Sequence, residues 1–322
     1  MTNQEAYIFS LLQETPYTPT ENEIELIDDG VNTAAWFPYD DSKLFIKANT
    51  FRHHSAESFI TEQLVLSALS DSQMCPDLVY CDTETEDAIT IMEFIPNSGD
   101  PQVTESFAYE TGKLYARFFK ETPTIETGSI SVLSYSNQHP EYTIERRSYG
   151  DLLREQFEDE LVYINNSHIE TASREAFSKL ENHISDVYLQ EFTTGFVNAD
   201  CWKQNVLVDT DNVPTHLIDF QTVISGCATH QQTLLSEYLS HTFEAENTDV
   251  DTKNIRNAVR DGFYEVCSPS SHPYTDEIQT LVRLIFYVFK LKAHRLWYNT
   301  YETQKTHKEH AKQKILELHK TL

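Results

Sequence analysis

The most informative part of the chain is the stretch from 197 to 221, VNADCWKQNVLVDTDNVPTHLIDFQ. Two short runs in it, NVLVD and THLIDF, have strand-like composition and flank a polar turn, which predicts a β-hairpin. Asp200 and Asn205 precede the first strand, and Asp219 closes the second, fourteen residues after Asn205. Because a hairpin returns the end of one strand to the start of the other, we expect Asn205 and Asp219 to approach each other.

These three side chains have the chemistry that transfer of a phosphoryl group requires. The amide oxygen of Asn205 and the carboxylate of Asp219 are hard ligands that suit Mg²⁺. Asp200, a carboxylate that need not bind the metal, suits acceptance of a proton from a hydroxyl. Phosphoryl transfer needs a metal that neutralises phosphate charge and a base that aligns the nucleophile. The alternative interpretation is an ordinary β-hairpin with polar ends.

The composition is that of a folded and very acidic protein. The chain has 322 residues, of which 39% are hydrophobic, and this length suits one large domain or two lobes. It has 51 acidic and 24 basic residues, a formal net charge of −27, which repels phosphate backbones and predicts no nucleic-acid partner. Because the acids are spread along the whole chain, two hypotheses stay open: a protein of a high-salt cytoplasm, and an acidic protein of ordinary habitat.

The cysteines and apolar segments favour a cytoplasmic protein. Five cysteines, without a CxxC pair, predict neither a disulfide framework nor a structural zinc site. The N-terminal MTNQEAYIFSLLQETPY lacks the features of a signal peptide. The most apolar segment, LVRLIFYVFK, contains Arg283 and is too short to cross a bilayer, so we expect no membrane partner. The sequence favours no particular oligomeric state.

The pattern along the chain predicts an α+β protein divided near residue 97. Up to that point the chain is rich in short strand-like runs, and SAESFITEQLVLSALSD, with Ser55 as its cap, is the one helix among them. After PNSGDP the pattern is helical around 104–121, 143–162, 168–190 and from 229 onward, with 197–221 as the only clear β signal. We therefore expect a β-rich lobe, 1–97, and a mainly helical lobe, 98–322, that share a cleft. The predicted strands of the first lobe are EIELID, AAWFP, KLFIK, LVYCD and AITIMEF.

The motif at 200–220 resembles that of a known family of kinases. Its spacing, Asp200-x4-Asn205, a strand and Asp219-Phe220, matches the catalytic loop and metal-binding Asp of protein kinases. It resembles more closely the aminoglycoside phosphotransferase and choline kinase superfamily, with the pattern HGDxxxxN, a strand and IDF or IDW. DCWKQN and LIDFQ are similar to its ecdysteroid-kinase-like branch. The resemblance spans about 24–235 and implies a protein-kinase-like bilobal fold, ATP and Mg²⁺ as cofactors, Asp200 as the base, and Asn205 and Asp219 as metal ligands.

The first lobe contains a further part of the same resemblance. Lys47 ends the strand LFIK and is similar to the kinase Lys that pairs with the α- and β-phosphates of the nucleotide. Glu62, fifteen residues later in the predicted helix, is the implied partner that holds Lys47 in place, with Glu57 as a rival. Each residue alone fits an exposed surface position as well. Their order and spacing with 200–219 favour the kinase interpretation.

The resemblance also implies nucleotide contacts at the junction of the two lobes. AITIMEFIP is similar to the strand that leads into the interlobe hinge, although a buried strand followed by a proline turn is the alternative. Met92 would line the adenine pocket, and backbone groups of Glu93, Phe94 and Ile95 would bond the adenine edge. Upstream, DDGVNTAAWF resembles the turn that covers the phosphates, which makes Asn32 a further nucleotide contact.

The chain departs from the family pattern at two places. The His-Gly-Asp of the family is Asn198-Ala199-Asp200 here, and Gln231 stands near the position where relatives have an Asp that braces the loop. These departures keep a second hypothesis open, a nucleotide-binding pseudokinase with a regulatory role. Against it, the chain retains all four residues of the motif that pseudokinases commonly lose: Lys47, Asp200, Asn205 and Asp219. A third hypothesis, a Mg²⁺-dependent hydrolase, leaves Lys47 unexplained.

The function that we predict is an ATP-dependent phosphotransferase that acts on a hydroxyl of a small molecule. The acceptor site is expected in the helical half, near 130–170 and the C-terminal helices. Acidic walls suit a cationic amine such as an aminoglycoside or choline, but acids occur throughout this chain. Trp297, Tyr298 and Tyr301 have the composition of a cage for an ammonium group. Ordinary helix packing is the alternative role for these three aromatics.

Overall fold

A computed structural model describes residues 2–322 except 20–22, 28–32, 49–55, 71, 83–88, 123–127, 137–138, 147, 163, 185–193, 246–248, 270–271 and 298–300. For 33, 56–60, 128–136, 139–146, 292–297 and 301–304 it describes the backbone only. Two predicted features, the nucleotide contact Asn32 and the helix cap Ser55, lie outside the described residues. So do Tyr298 and the side chains of Glu57, Trp297 and Tyr301.

The N-terminal part is a five-stranded antiparallel sheet, and each of its strands coincides with a predicted run. The order across the sheet is β1-β2-β3-β5-β4. A helix that was not predicted, α1 (Asn3–Leu12), precedes the sheet, so this part of the chain has two helices and not one. It begins at a capping box of Thr2 and Glu5 and buries Ile8 and Leu12 in a small core with the sheet. The strands are β1 (Glu25–Ile27), β2 (Thr33–Tyr39), β3 (Ser42–Ala48), β4 (Leu78–Asp82) and β5 (Ile89–Glu93).

The predicted helix of the first lobe, α2 (Ala56–Ala68), follows β3 and joins the two parts of the protein. Its buried residues Leu64, Val65 and Leu66 belong to the large core, which also contains residues of the helical part. The helix is therefore anchored on both sides of the predicted division. The division near 97 stays a prediction.

The C-terminal part is mainly helical, as predicted. Its helices α3 and α7 pack closely because a glycine lies on each of them: a Cβ at Gly112 would approach the Val259 carbonyl oxygen to 2.5 Å, and one at Gly262 would overlap the backbone of Tyr109. The helices are α3 (Glu105–Glu121), α4 (Tyr149–Leu161), α5 (Ser167–Ile184), α6 (Ala228–Ala245), α7 (Thr252–Val266), α8 (Thr275–Trp297) and α9 (Tyr301–Thr321). No helix within the described residues has the length and apolar character needed to cross a membrane.

Three antiparallel strand pairs interrupt the helices. The predicted hairpin at 197–221 is present as β9–β10, with Val208 opposite Pro214 and Val206 opposite Leu217. The expectation that this was the only β signal in the helical half is wrong, since β6–β7 occupies a region of which 143–146 was predicted as helix. GSISVLSYS alternates small polar and apolar residues, which favours a strand when a partner strand is present. The pairs are β6 (Gly128–Ser136) with β7 (His139–Arg146), β8 (Thr194–Asn198) with β11 (Val223–Cys227), and β9 (Val206–Val208) with β10 (Pro214–Leu217).

Candidate active site

The β9–β10 hairpin brings Asn205 and Asp219 into the same site. The Ile218 N–H donates a hydrogen bond to the Asn205 carbonyl oxygen at 3.0 Å. Asp219, the next residue, has a φ of 63°, in the left-handed region that Asp tolerates better than most residues do. The backbone therefore bends sharply after β10, at the point where the carboxylate is 36% exposed.

A second contact fixes Asp200 against Asn205. The Asn205 amide nitrogen donates to the carbonyl oxygen of Asp200 at 3.0 Å and to its Oδ2 at 3.2 Å. Because the nitrogen is used in this way, the amide oxygen of Asn205 is the side-chain atom that remains for a metal. The two residues thus present a carboxylate and an amide oxygen side by side.

The environment of Asp200 raises its pKa toward neutrality. Burial and then the charge of Asp219 raise the pKa of Asp200 to about 6, while the charge of Lys290 and the hydrogen bond from Asn205 act in the opposite direction. A general base works best when its pKa lies near the working pH. Asp200 therefore has a basicity suited to accepting a proton from a hydroxyl.

The two departures from the family pattern are bonded to each other. The Asn198 side-chain oxygen accepts the Asp200 N–H at 3.0 Å, and the Asn198 N–H donates to the Gln231 side-chain oxygen at 2.7 Å. The amide nitrogen of Gln231 donates to Cys201 Sγ at 3.2 Å. Ala199 has no left-handed backbone strain. A neutral amide on α6 therefore braces both β8 and the loop that follows it.

Cys201 is a packing residue in the same loop. It is fully buried, and its thiol donates to the Asn198 carbonyl oxygen at 3.0 Å. Burial, more than the charge of Asp200, raises the pKa of the Cys201 thiol. A protonated thiol that is closed off from solvent is a poor nucleophile.

Lys47 joins the sheet to the helical part through two carboxylates. Its Nζ lies 3.1 Å and 3.2 Å from the carboxylate oxygens of Glu62 and 2.8 Å from Asp219 Oδ1. Glu62 also accepts the Phe220 N–H at 3.3 Å. Glu62, the partner expected fifteen positions after Lys47, is in contact with it, and the side chain of the rival Glu57 lies outside the described residues. Strand β3, helix α2 and the end of β10 therefore meet at one cluster of charges.

The pKa shifts in this cluster follow from burial and charge together. Burial lowers the pKa of Lys47, but the charges of Asp219 and Glu62 outweigh it, so the pKa is raised above its ordinary value. Burial raises the pKa of Glu62, and the Lys47 ammonium counteracts that shift. Lys47 is consequently a cation throughout the physiological range, held within the structure at a defined place.

The strand β5 leads into the junction between the lobes. Met92 is buried at its end. The N–H groups of the next two residues are engaged: Glu93 donates to the Asp77 carbonyl oxygen at 2.9 Å and Phe94 to that of Lys43 at 3.2 Å. Among the residues that the structure describes, none accepts a hydrogen bond from the Ile95 N–H. Of the three predicted adenine contacts, Ile95 is therefore the one with a donor to offer.

One charged residue beside the site was not identified from the sequence. Lys290 on α8 is fully buried, and its Nζ lies 3.7 Å from the centroid of the Trp202 ring, in the loop that contains Asp200. The available signal was its position four residues after Phe286, on the apolar face of a helix. A charge on such a face usually has a specific partner.

The comparisons identify the fold. No family model and no curated protein matches the chain. Many solved structures match the chain, and three of them show the range. Amicoumacin kinase hAmiN in complex with AMP-PNP, Ca²⁺ and Ami has 12% identity and a TM-score of 0.65, with 98% of this chain and 96% of that one covered. Aminoglycoside phosphotransferase APH(4)-Ia has 12% identity and a TM-score of 0.65, with 99% of each chain covered. Macrolide 2′-phosphotransferase MphH from Brachybacterium faecium has 12% identity and a TM-score of 0.57, with 96% of this chain and 97% of that one covered.

These matches establish the architecture of the protein. The chain has the protein-kinase-like fold of the aminoglycoside phosphotransferases and related small-molecule kinases, with a five-stranded sheet followed by a mainly helical part. The predicted fold class is thereby confirmed. The resemblance that the sequence motifs indicated is confirmed at the same level, that of the fold.

Proposed function

We propose that the protein is an ATP-dependent phosphotransferase that moves the γ-phosphoryl group of ATP to a hydroxyl of a small molecule. The observation that carries the proposal is the cluster of Lys47, Glu62 and Asp219, which unites groups from the sheet, from α2 and from the helical part. Asp200 and Asn205 lie in the same site. A Mg²⁺-dependent hydrolase would not need the cation of this cluster.

The charge cluster suits the phosphates of a nucleotide. Lys47 contacts two carboxylates, and a phosphate oxygen would take the place of Asp219 at its ammonium while Glu62 keeps the side chain in position. The carboxylate of Asp219 would thereby be released for Mg²⁺. We assign Met92 to the lining of the adenine pocket and the Ile95 N–H to the adenine edge.

The oxygen donors fit a hard divalent cation. The Asp219 carboxylate is partly exposed, and the Asn205 amide oxygen is the atom that its hydrogen bonds leave over. These two groups would hold Mg²⁺, which supplies neutralisation of the phosphate charge. Asp200 would orient the acceptor hydroxyl and take up its proton. The acceptor would bind in the helical half, near 130–170 and the C-terminal helices.

Transfer of a labelled phosphoryl group tests the proposal. ATP labelled on its γ-phosphate would be supplied with Mg²⁺ and a panel of sugars, amino alcohols and antibiotics. With the acceptor that becomes labelled, we expect Asp200→Asn to slow turnover by about 100-fold or more and to spare Mg·ATP binding, because only the proton acceptor is lost. Asp211→Asn, an exposed change near the hairpin turn, is the matched control and should retain activity.

Two outcomes would contradict parts of this proposal. Full activity of Asp200→Asn would remove Asp200 as the base. Mg·ATP binding without transfer to any compound of the panel would favour the second hypothesis, a nucleotide-binding protein with a regulatory role. The binding and turnover measurements together therefore separate an enzyme from a pseudokinase.

A further inference from the structure

Lys290 is a buried cation that forms no direct ion pair with a carboxylate among the residues that the structure describes, and Asp200 acts on it only through its charge at longer range. The side chain is fully enclosed in the large core, and its Nζ makes no hydrogen bond with any described residue. Lysine is among the residues that are least often buried, and an unpaired buried ammonium is costly. A residue that is retained at such a cost needs a specific explanation.

Aromatic rings surround the Lys290 ammonium. The distances from Nζ to the ring centroids are 3.7 Å for Trp202, 4.4 Å for Tyr238 and 5.1 Å for Phe286. The rings also contact one another, with the Trp202 and Tyr238 centroids 5.4 Å apart in an edge-on arrangement. The electron-rich faces of such rings attract a cation, most strongly when water is excluded. We call these three rings with Lys290 the lysine cage.

The lysine cage is connected directly to the loop of the candidate active site. Trp202 lies between Asp200 and Asn205, and its carbonyl oxygen accepts the Asn205 N–H at 2.9 Å. Tyr238 lies on α6 and Lys290 on α8, so the cage fastens the loop to two helices. Burial lowers the pKa of Lys290 to about 7, and the negative charge of Asp200 opposes this shift.

We propose that Lys290 is a positioning residue whose ammonium, through the Trp202 ring, holds the loop from Asp200 to Asn205 against α6 and α8. The purpose assigned to the loop rests on the proposed function. The holding interaction itself does not, because it is a property of the folded chain in the absence of any ligand. The proposal therefore has a test that needs neither nucleotide nor acceptor.

The charge and the packing of Lys290 have separable effects. Lys290→Met keeps a flexible chain of similar length and removes the ammonium. Since the buried charge disappears with it, the global stability should be unchanged or higher. The loop should nevertheless become looser, because the cation–π attraction on Trp202 is lost. A residue that only fills space would change the stability and the loop in the same direction.

Native-state hydrogen exchange on the full chain measures how often the loop from Asp200 to Asn205 opens. At pH 6, where Lys290 with its pKa of about 7 is mostly protonated, we expect the Asn205 N–H to exchange about tenfold faster in Lys290→Met than in the unmodified protein. Lys290→Arg, which keeps a cation that can stack on indole, should restore slow exchange. The Ile91 N–H, in the middle of the N-terminal sheet, is the internal reference and should be unaffected.

Trp202 supplies an independent readout and a second variant. An ammonium over an indole changes its emission, so Lys290→Met should alter the tryptophan fluorescence. Trp202→Leu should abolish that component and also accelerate exchange at Asn205. If Lys290→Met fails to fold, Lys290→Gln, which also removes the charge, takes its place in the comparison with Lys290→Arg. Unchanged exchange at Asn205 in the folded variants, or an Arg variant that behaves like the Met variant, would overturn it.

The result can be separated from the fate of the proposed function. Mg·ATP affinity would be measured on the same samples. If the protein does not bind Mg·ATP but exchange at Asn205 accelerates in Lys290→Met, the proposed function is refuted and the positioning role of Lys290 stands. If the protein binds Mg·ATP but exchange at Asn205 does not change in Lys290→Met, the proposed function stands and the positioning role of Lys290 is refuted.

Discussion

Two buried lysines beside the candidate site differ in their partners. Lys47 is 8% exposed and Lys290 is fully buried. Lys47 has two carboxylates within 3.2 Å, and its pKa is raised. Lys290 has aromatic rings, and burial lowers its pKa to about 7. Despite their similar burial, Lys47 therefore stays protonated throughout the physiological pH range, whereas Lys290 loses its proton near pH 7.

The difference shows that burial alone does not determine the charge of a lysine. Carboxylates in hydrogen-bonding contact offset the loss of hydration, whereas rings offset only part of it. Under the proposed function, the permanent charge of the carboxylate-paired Lys47 would attract the phosphates of the nucleotide. Lys290, without such a partner, suits a structural role under a loop. Substitutions at buried and exposed residues with different partners test this comparison through their effects on the free energy of unfolding.

The largest effect is expected from Lys47→Met. Glu62 would then be buried without its partner, which costs about 3–5 kcal/mol in the free energy of unfolding. The loss should be smaller at pH 5 than at pH 8: burial raises the pKa of Glu62, so a proton restores its neutrality, and stability falls as the pH rises through that pKa. Urea unfolding at both pH values measures it.

The control for this change is Lys43→Met, the same substitution at an exposed position of the same strand. We expect its effect to be about 1 kcal/mol or less, the strength of one exposed cation–π contact with Trp36. Equal effects of the two substitutions would contradict the central importance of the carboxylate pair.

A neutral brace should contribute less than the ion pair. Gln231→Ala removes the acceptor of the buried Asn198 N–H, and an unsatisfied buried donor costs about 1–3 kcal/mol. The Asp200 N–H should also exchange faster, because it is bonded to the Asn198 side chain. Gln232→Ala, a neighbouring buried amide that bonds Ser236 instead, is the matched control. Equal loop exchange in both variants would refute the bracing role of Gln231.

His230 is a third buried titratable group and, like Lys290, it forms no ion pair with a carboxylate among the described residues. Burial lowers its pKa to about 3, and its ring is hydrogen-bonded to the Tyr149 hydroxyl at 2.7 Å. The unfolded chain takes up a proton near pH 6.5 and the folded chain does not, so stability falls as the pH drops from 6.5 toward 3. Between pH 7 and pH 5 this contributes about 2 kcal/mol.

Urea unfolding of His230→Gln at those two pH values measures the contribution. The variant should lose less stability on acidification than the unmodified protein does. His168→Gln, at an exposed position, should retain the full dependence. The same acid loss in all three proteins would show that His230 is not held neutral.

The smallest effect is expected for an exposed ion pair. Arg174 lies 2.8 Å from Glu158 and 3.1 Å from Glu170, but it is about half exposed. Arg174→Ala should lower the free energy of unfolding by about 0.3–0.5 kcal/mol, and the difference should vanish in 1 M salt. A loss above about 1 kcal/mol would contradict the view that exposed ion pairs such as that of Arg174 contribute much less to stability than the buried pair of Lys47 and Glu62.

Local periodicity was sufficient to predict most of the architecture. The five strands of the N-terminal sheet and the β9–β10 hairpin each have a pattern that stands out within a few residues, and the turn between β9 and β10 fixes their pairing. The contact between Lys47 and Glu62 was predicted from motif order, and the structure has it. The strands and the hairpin were predictable because they depend on residues that are near in sequence. The contact between Lys47 and Glu62 was predictable because the motif resembles that of a known fold.

Features that depend on distant partners were missed. The β6–β7 pair forms where helical spacing was assigned from 143, because strand pairing outweighed a weak helical pattern. The bracing role of Gln231 has no signal in the sequence, and only its contact with Asn198 reveals it. Lys290 lies about ninety residues from Trp202 in the chain, and no local pattern links a lysine of one helix to a ring of a distant loop.

The central claim, that this cluster of charges is a Mg·ATP site, is tested most directly by titration calorimetry with ATP. The titrations would use the unmodified protein, Asp219→Asn and the control Asp211→Asn, each with and without Mg²⁺. Asn is chosen at 219 because it tolerates the left-handed backbone there. We predict Mg²⁺-dependent binding by the unmodified and control proteins, and loss of the Mg²⁺ dependence in Asp219→Asn. Absence of binding by the folded unmodified protein, or equal Mg²⁺-dependent binding by Asp219→Asn, would contradict the claim.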